Sequence, residues 1–457
     1  MSLLLLLLLT IVQGLMGFGL ITLVRLRLRT ALMAPLAVIC GIGVCSLLPF
    51  LLQLAYIPLT ALNIALATCI STVLLNLRFR AGVARLRRQP SMKVSFALYD
   101  LAYGLVALAL IVLSVWRSYS LPPFPRDLTS GAEVIAEYAV KEKTLVNSVF
   151  SLDLNSTNNP FKPPFIASLQ VIYKYIGFPF GQVWLGVLFI CFILFIYLAL
   201  SSRIHRLLAG LLVVIFLAIP EMYAYTFMAL FDYSNAVFFF LSVYFFASYC
   251  SRGQRNELFF SGLMMALATY TRSETLVLAC LLMPLLLWHH YRNGDSLLVM
   301  ATRSLRLLAP SFICYALTVT IYMGWYLPLS YGVGDQVNKH LLDPSPFFSR
   351  FYDMNVLLIF SEDGVSYYGY FIFLFILILL FDLVLSNFRT RTSRNWLAAV
   401  LVVYLGLPLL GYLLPLLDLD HSTKRGLFKI FPLMLFYMGS SRLMRQLSES
   451  IKKWENK

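Results

Sequence analysis

Three carboxylates, Asp127, Glu133 and Asp232, and four cations, Lys162, Arg272, Lys424 and Arg425, stand in polar stretches between long apolar runs. Those residue types suit a group transfer at a membrane surface. A carboxylate in such a loop can accept a proton from an attacking hydroxyl. Cations fixed at the lipid boundary can hold a phosphate and stabilise it as it leaves. Glu274 and His421 lie close to Arg272 and Lys424 and could support either role. Lys429 falls inside an apolar run, where charge is expensive unless something uses it.

The elements that must position these groups are membrane spans. Of the 457 residues, 60% are hydrophobic and 12% charged, at a mean hydropathy of +0.81, far more apolar than a soluble domain. Runs of about twenty apolar residues, enough to cross about 30 Å of hydrocarbon as helices, recur from end to end. The alternating polarity of a transmembrane barrel is absent. The expected class is an all-α polytopic membrane protein. A net charge of +15 would also suit nucleic acid, but the basic residues form short clusters between apolar runs, as cytoplasmic loops do, so no nucleic-acid partner is expected. All seven cysteines fall in or beside apolar runs without metal-ligand spacing and read as small core residues.

Sidedness follows from the basic clusters. The run 3–24 is too long for a typical secretory signal and no small-residue cleavage site follows it, so it is expected to remain a span. Arg25, Arg27 and Arg29 then lie inside. Counting onward gives about thirteen spans, N-terminus out and C-terminus in, in a bacterial inner (cytoplasmic) membrane. Lys424/Arg425 breaks the pattern, because the count puts it outside with Asp418 and Asp420. A cation that breaks the rule is a candidate ligand. Asp127, Glu133, Lys162, Asp232, Arg272, Glu274 and His421 fall on the same outer side. The first large external loop, 117–180, is long for a mere connection. It is expected to hold a helix after Asp127 and a second one, Phe165 to Ile176, lying on the outer membrane face behind Lys162-Pro163-Pro164. A second large external loop covers 330–366. Three regions are expected: an added transmembrane hairpin region with a basic cytoplasmic loop (1–93), a catalytic membrane core (94–441) and a basic cytoplasmic tail (442–457).

In this order the residues resemble the C-type (GT-C) membrane glycosyltransferases, and among them the aminoarabinose transferase and protein O-mannosyltransferase branch. The resemblance covers roughly 94–441 and rests on the ordered set: Asp127 with the helix after it, Lys162-Pro163-Pro164, Asp232 in Phe231-Asp232-Tyr233, the pair of short helices around Arg272 and Glu274, and Arg425 ahead of Phe431-Pro432. It departs from the family where Leu128 follows Asp127, in the three spans before 94, and in lacking an appended C-terminal part. The resemblance implies a GT-C-like helix bundle and a polyprenyl-phosphate-linked sugar as donor. Its phosphate would sit against Arg272 and Arg425, with Lys162 or Lys424, among membrane lipids. Asp127 would deprotonate an acceptor hydroxyl on a glycan, lipid or protein, and the displacement would invert the anomeric carbon. No tightly bound metal is expected, since arginines can neutralise a monophosphate and the external acids lack cage spacing, although a divalent cation stays open.

Plainer roles compete at each position. Asp127 could pair with Arg126, and Glu133 reads first as a helix-surface residue and only second as a base. Lys162 could snorkel, Asp232 could cap the helix it opens, and Glu274 could simply neutralise Arg272. Two other functions compete with transfer: a transporter or flippase of a lipid-linked glycan, and a non-catalytic envelope scaffold. Ionisable residues inside the runs are sparse and pseudo-repeats are not evident, which favours transfer.

Overall fold

A computed structural model describes residues 2–87, 97–120, 131–152, 162–178, 180–327, 337–338, 342–386, 391–415 and 417–455. Among them every regular element is helical, as backbone surrounded by hydrocarbon must be when it cannot close a barrel. In chain order the helices are α1 (Ser2–Leu23), α2 (Thr30–Leu54), α3 (Ala61–Arg85), α4 (Leu98–Ser120), the loop helices α5 (Ala132–Glu142) and α6 (Phe165–Tyr175), α7 (Val183–Ser201) and α8 (Arg206–Leu217). There follow α9 (Phe231–Arg252), α10 (Arg255–Thr271), α11 (Thr275–Arg292), α12 (Leu297–Tyr326), α13 (Phe371–Ser386), α14 (Thr392–Leu413), α15 (Phe431–Ser440) and α16 (Arg442–Glu455).

By length and composition nine of the described helices can cross a membrane: α1 to α4, α7, α9, α11, α12 and α14. A tenth arises if α13 is joined to Glu362–Tyr368, from which it is bent by 94°. The sequence count expects about thirteen. The other three runs are helical but short: α8 has 12 residues, α10 has 17 and α15 has 10. Each is cut at the same end of the bundle. Pro220 follows α8, Arg272 closes α10 in an extended conformation, and irregular turns over Leu419–Lys429 delay α15. The long helices turn apolar side chains outward, with Leu62, Val73, Leu98 and Val384 all more than half exposed. Such faces would be a large apolar patch in water and are ordinary against lipid.

The N-terminal hairpin packs into the main core. Gly17 and Gly41 let α1 and α2 touch backbone to backbone: a methyl on Gly17 would meet the carbonyl oxygen of Ala37, and one on Gly41 that of Gln13. Small residues at such crossings are how helices approach closely in lipid. The hairpin then covers α6. The Tyr173 hydroxyl donates to Gln13 Oε1 at 3.3 Å, and the Tyr175 hydroxyl to the Leu59 carbonyl at 2.6 Å. Gln53 Oε1 accepts from Thr144 at 2.8 Å and from the Leu145 amide at 2.7 Å.

This corrects the expectation that α6 rests on the outer membrane face. Phe165 to Tyr173 are buried throughout, and Phe165 meets Trp184, Phe238 and Tyr270 edge-on at 5.7–5.9 Å. The tail is likewise more than a basic extension. Asp382 accepts from the Arg442 and Leu443 amides at 3.1 and 3.4 Å, capping α16, while the His205 amide donates to Ser448 Oγ at 2.7 Å.

Gly41→Ala should push α1 off α2 and cost about 1–3 kcal/mol, the range for overpacking a tight contact. A drop in the thermal midpoint of the detergent-purified protein reads this out, and an unchanged midpoint would show that the crossing can relax.

Candidate functional site

Helices α9 and α10 form an antiparallel pair, so the residue that opens one and the residue that closes the other meet. Asp232 lies in the first turn of α9, and Arg272 ends α10. Asn235, three residues after Asp232 and therefore on the same face, secures the break between α10 and α11. Its Nδ2 lies 2.6 Å from the Ala268 carbonyl, 2.7 Å from Thr271 Oγ1 and 2.9 Å from Thr275 Oγ1. Held there, the Arg272 guanidinium contacts Asp232 through Nη1 and Glu274 through Nε. Arg425 Nη1 reaches the other oxygen of Asp232 at 3.8 Å. Asp232 and Arg272 are 3% and 6% exposed, so water screens this contact little.

Two lysines join the group. Lys162 stands with its ammonium 5.0 Å from the centre of the Phe231 ring, in the fields of Arg272, Asp232, Glu274 and Arg425. Burial, with the repulsion of Arg272 next, pulls its pKa down to about 8. Lys429 is buried and feels Arg272, Glu274 and Asp232. Neither lysine is in an ion pair with any described carboxylate. Among the described residues, four cations therefore face two carboxylates. An excess of positive charge beside the buried Asp232 and Arg272 is costly unless an anion completes it.

The remaining candidates are sorted by their contacts. Lys424 is paired with Glu221 at 2.9 Å and lies 3.9 Å from the Tyr367 ring centre, so its charge is already answered. Arg425 stacks over Tyr225 at 5.7 Å, and Tyr225 in turn packs on Phe428. His421 is exposed and bound to Asp418 at 2.6 Å, outside the buried group. Asp127 lies outside the described residues.

Glu133 departs from its reading as a surface residue. It is 2% exposed, contacts the Lys174 ammonium and accepts from Gln170 Nε2 at 2.6 Å. Gln170 also holds the Phe180 carbonyl and the Trp184 indole, tying α5 and α6 to α7. Burial raises its pKa, and Lys174 and Gln170 offset this only in part. With both flanks occupied, Glu133 is a strut between helices.

Sequence reasoning missed Glu221, Tyr225, Asn235 and Tyr367. Asn235 carried a readable signal, its three-residue spacing from Asp232 on one helix; the other three depend on segments brought together only by the fold.

Comparison with family models, curated proteins and solved structures finds no match to this chain. Asp232 spends its oxygens on two arginines and serves as their positioning residue, which leaves it a poor acceptor for a substrate proton. Among the described residues the cluster holds more basic groups than acidic ones.

Asp232→Asn should lower the thermal midpoint by the equivalent of about 3–5 kcal/mol, because two guanidiniums lose their shared acceptor. Asp232→Asn combined with Arg272→Gln should lose clearly less than the sum of the single changes. Additive losses in that cycle would show that the contact carries no coupling.

Proposed function

We propose that this chain is an inverting glycosyltransferase that moves a sugar from a polyprenyl-phosphate-linked donor to an extracytoplasmic hydroxyl on a glycan, lipid or protein. The observation that supports it most is the excess of two positive charges, among the described residues, in the group of Lys162, Arg272, Arg425 and Lys429. In this reading the fold is of the C-type glycosyltransferase kind. All thirteen apolar runs enter or cross a bacterial inner membrane, and the Asp232 end faces outward.

The charge count fits the reaction. A sugar joined to a lipid through one phosphate carries a single negative charge, and the departing lipid monophosphate approaches two, as phosphate monoesters do near neutral pH. An excess of two positive charges thus matches the leaving group better than the bound donor, and such a difference lowers a barrier. Asp127 takes the proton of the acceptor hydroxyl. The hydroxyl oxygen attacks the anomeric carbon from the side opposite the phosphate. The bond from carbon to phosphate oxygen breaks, and the lipid phosphate leaves with the electron pair toward the four cations.

Binding of polyprenyl monophosphate to the purified full-length protein tests the site. Lys429→Gln and Lys162→Gln should each weaken it about 10- to 100-fold, the worth of one charged hydrogen bond. Wild-type binding in both variants would remove the site from this reading. Asp127→Asn should bind the lipid phosphate normally and lose transfer; full transfer by that variant would show that the base is another group.

Lys162 also sets a pH dependence. Its ammonium is lost as pH rises through about 8, so affinity for the lipid phosphate should fall there, and Lys162→Gln should flatten that fall. Stability runs the other way. Between about pH 8 and the usual lysine range near 10.5 the unfolded chain binds more protons than the folded one, so the unliganded protein gains stability as pH rises across that window. A profile in which affinity and stability move together would contradict the assignment.

A further inference from the structure

A cavity of 430 Å³ opens where the ends of α9, α11 and α14 converge, within the range of small-molecule sites. It lies far from Asp232: Cys250 on its wall is eighteen residues along the same helix, about 27 Å at the rise of an α-helix. This is the end that carries the basic clusters. Phe246, Leu285 and Ala398 make an apolar wall, while Arg292 and Arg394 supply two guanidiniums. Among the described residues no carboxylate lines the cavity, and neither arginine is in an ion pair.

The nearby acid is withdrawn from it. Asp295 binds His290 Nδ1 at 2.6 Å, His290 Nε2 meets the Tyr249 hydroxyl at 3.1 Å, and that hydroxyl accepts from Arg303 at 2.9 Å. This network engages Asp295, and the exposed Arg292 and Arg394 have no carboxylate partner among the described residues. Trp288, on the cavity wall, is 60% exposed and stacks with Tyr291 at 6.2 Å, as aromatic residues do at the level of lipid head groups.

We propose that this cavity binds the phosphate head group of an anionic membrane lipid, at the end of the bundle opposite the Asp232 cluster. The phosphate lies between Arg292 and Arg394, and the first carbons of the lipid run along Phe246 and Leu285. A soluble phosphate compound would use the arginines and leave the apolar wall bare, so the combination of the two walls selects an amphiphile. None of the cavity residues takes part in the proposed transfer reaction.

The test reconstitutes the full chain in phosphatidylcholine discs with and without phosphatidylglycerol and counts retained phosphatidylglycerol by native mass spectrometry. Each arginine near a membrane surface is worth about fivefold in affinity, so Arg292→Gln with Arg394→Gln should weaken retention about thirtyfold. The corresponding double lysine variant should keep most of it. Arg27→Gln with Arg29→Gln removes the same charge from the same end, away from the cavity, and should change retention little. Ala398→Trp, which fills the cavity without altering charge, should displace the lipid. Wild-type retention in the double glutamine variant overturns the proposal, as does an equal loss in the Arg27/Arg29 control. Displacement of the lipid by inorganic phosphate alone overturns the choice of an amphiphile.

Discussion

Asp232 answers two arginines that come from opposite halves of the later chain, Arg272 at the end of α10 and Arg425 in the irregular segment before α15. A buried carboxylate between two guanidiniums is a strong constraint, because removing any member strands a charge where water cannot screen it. The surrounding breaks in regular structure meet this constraint. α10 stops where Arg272 turns toward Asp232, and Asn235 binds the Ala268 carbonyl and the Thr271 hydroxyl at that break. The turns over Leu419–Lys429 bring Arg425 and Lys429 to the same place from the far side of the bundle. Helices shorter than a bilayer are a consequence: the chain gives up span length at this end to gather charge.

The N-terminal hairpin contributes at one remove. α2 and the start of α3 cover α6, and α6 with α5 is fastened to α7 through Lys174, Glu133, Gln170 and Trp184. Lys162 stands just before α6, so the position of that lysine depends on this packing. Glu133, a carboxylate whose chemistry suits a base, is used up in the same fastening. The arrangement explains why burying α6 inside the protein is compatible with a site at its edge: its start is pinned, and its first charged neighbour points at the cluster.

The two ends of the bundle differ in how they treat charge. Near Asp232, acids and bases are interleaved and buried, with a surplus of positive charge. At the opposite end most basic residues are exposed, and the acids that accompany them are engaged in fixing helices, as Asp382 caps α16 and Asp100 binds Arg206 at 3.1 Å. That contrast bears on Lys424 and Arg425, the basic pair that the sequence count sets against its expected sidedness. Its two members then divide. Lys424 settles on Glu221 and Tyr367, whereas Arg425 turns to Asp232.

Hydropathy and the order of charges were enough to give an all-helical chain of membrane-crossing length and to put Asp232, Arg272, Glu274 and Arg425 at one end, because apolar runs fix helix polarity step by step. The same reasoning could not tell Lys424 from Arg425, nor Glu133 from a free acid, since neighbouring residues on a turn are distinguished only by what lies across from them. It counted about thirteen spans, of which nine described helices, or ten with the bent pair, are long enough to cross, since an apolar run reports its hydrophobicity and not where a buried charge will break it. Tertiary structure decided those matters. It brought Glu221 to Lys424, Lys174 to Glu133 and Arg425 to Asp232, pairings set by the packing of helices far apart in the chain and invisible to any local pattern.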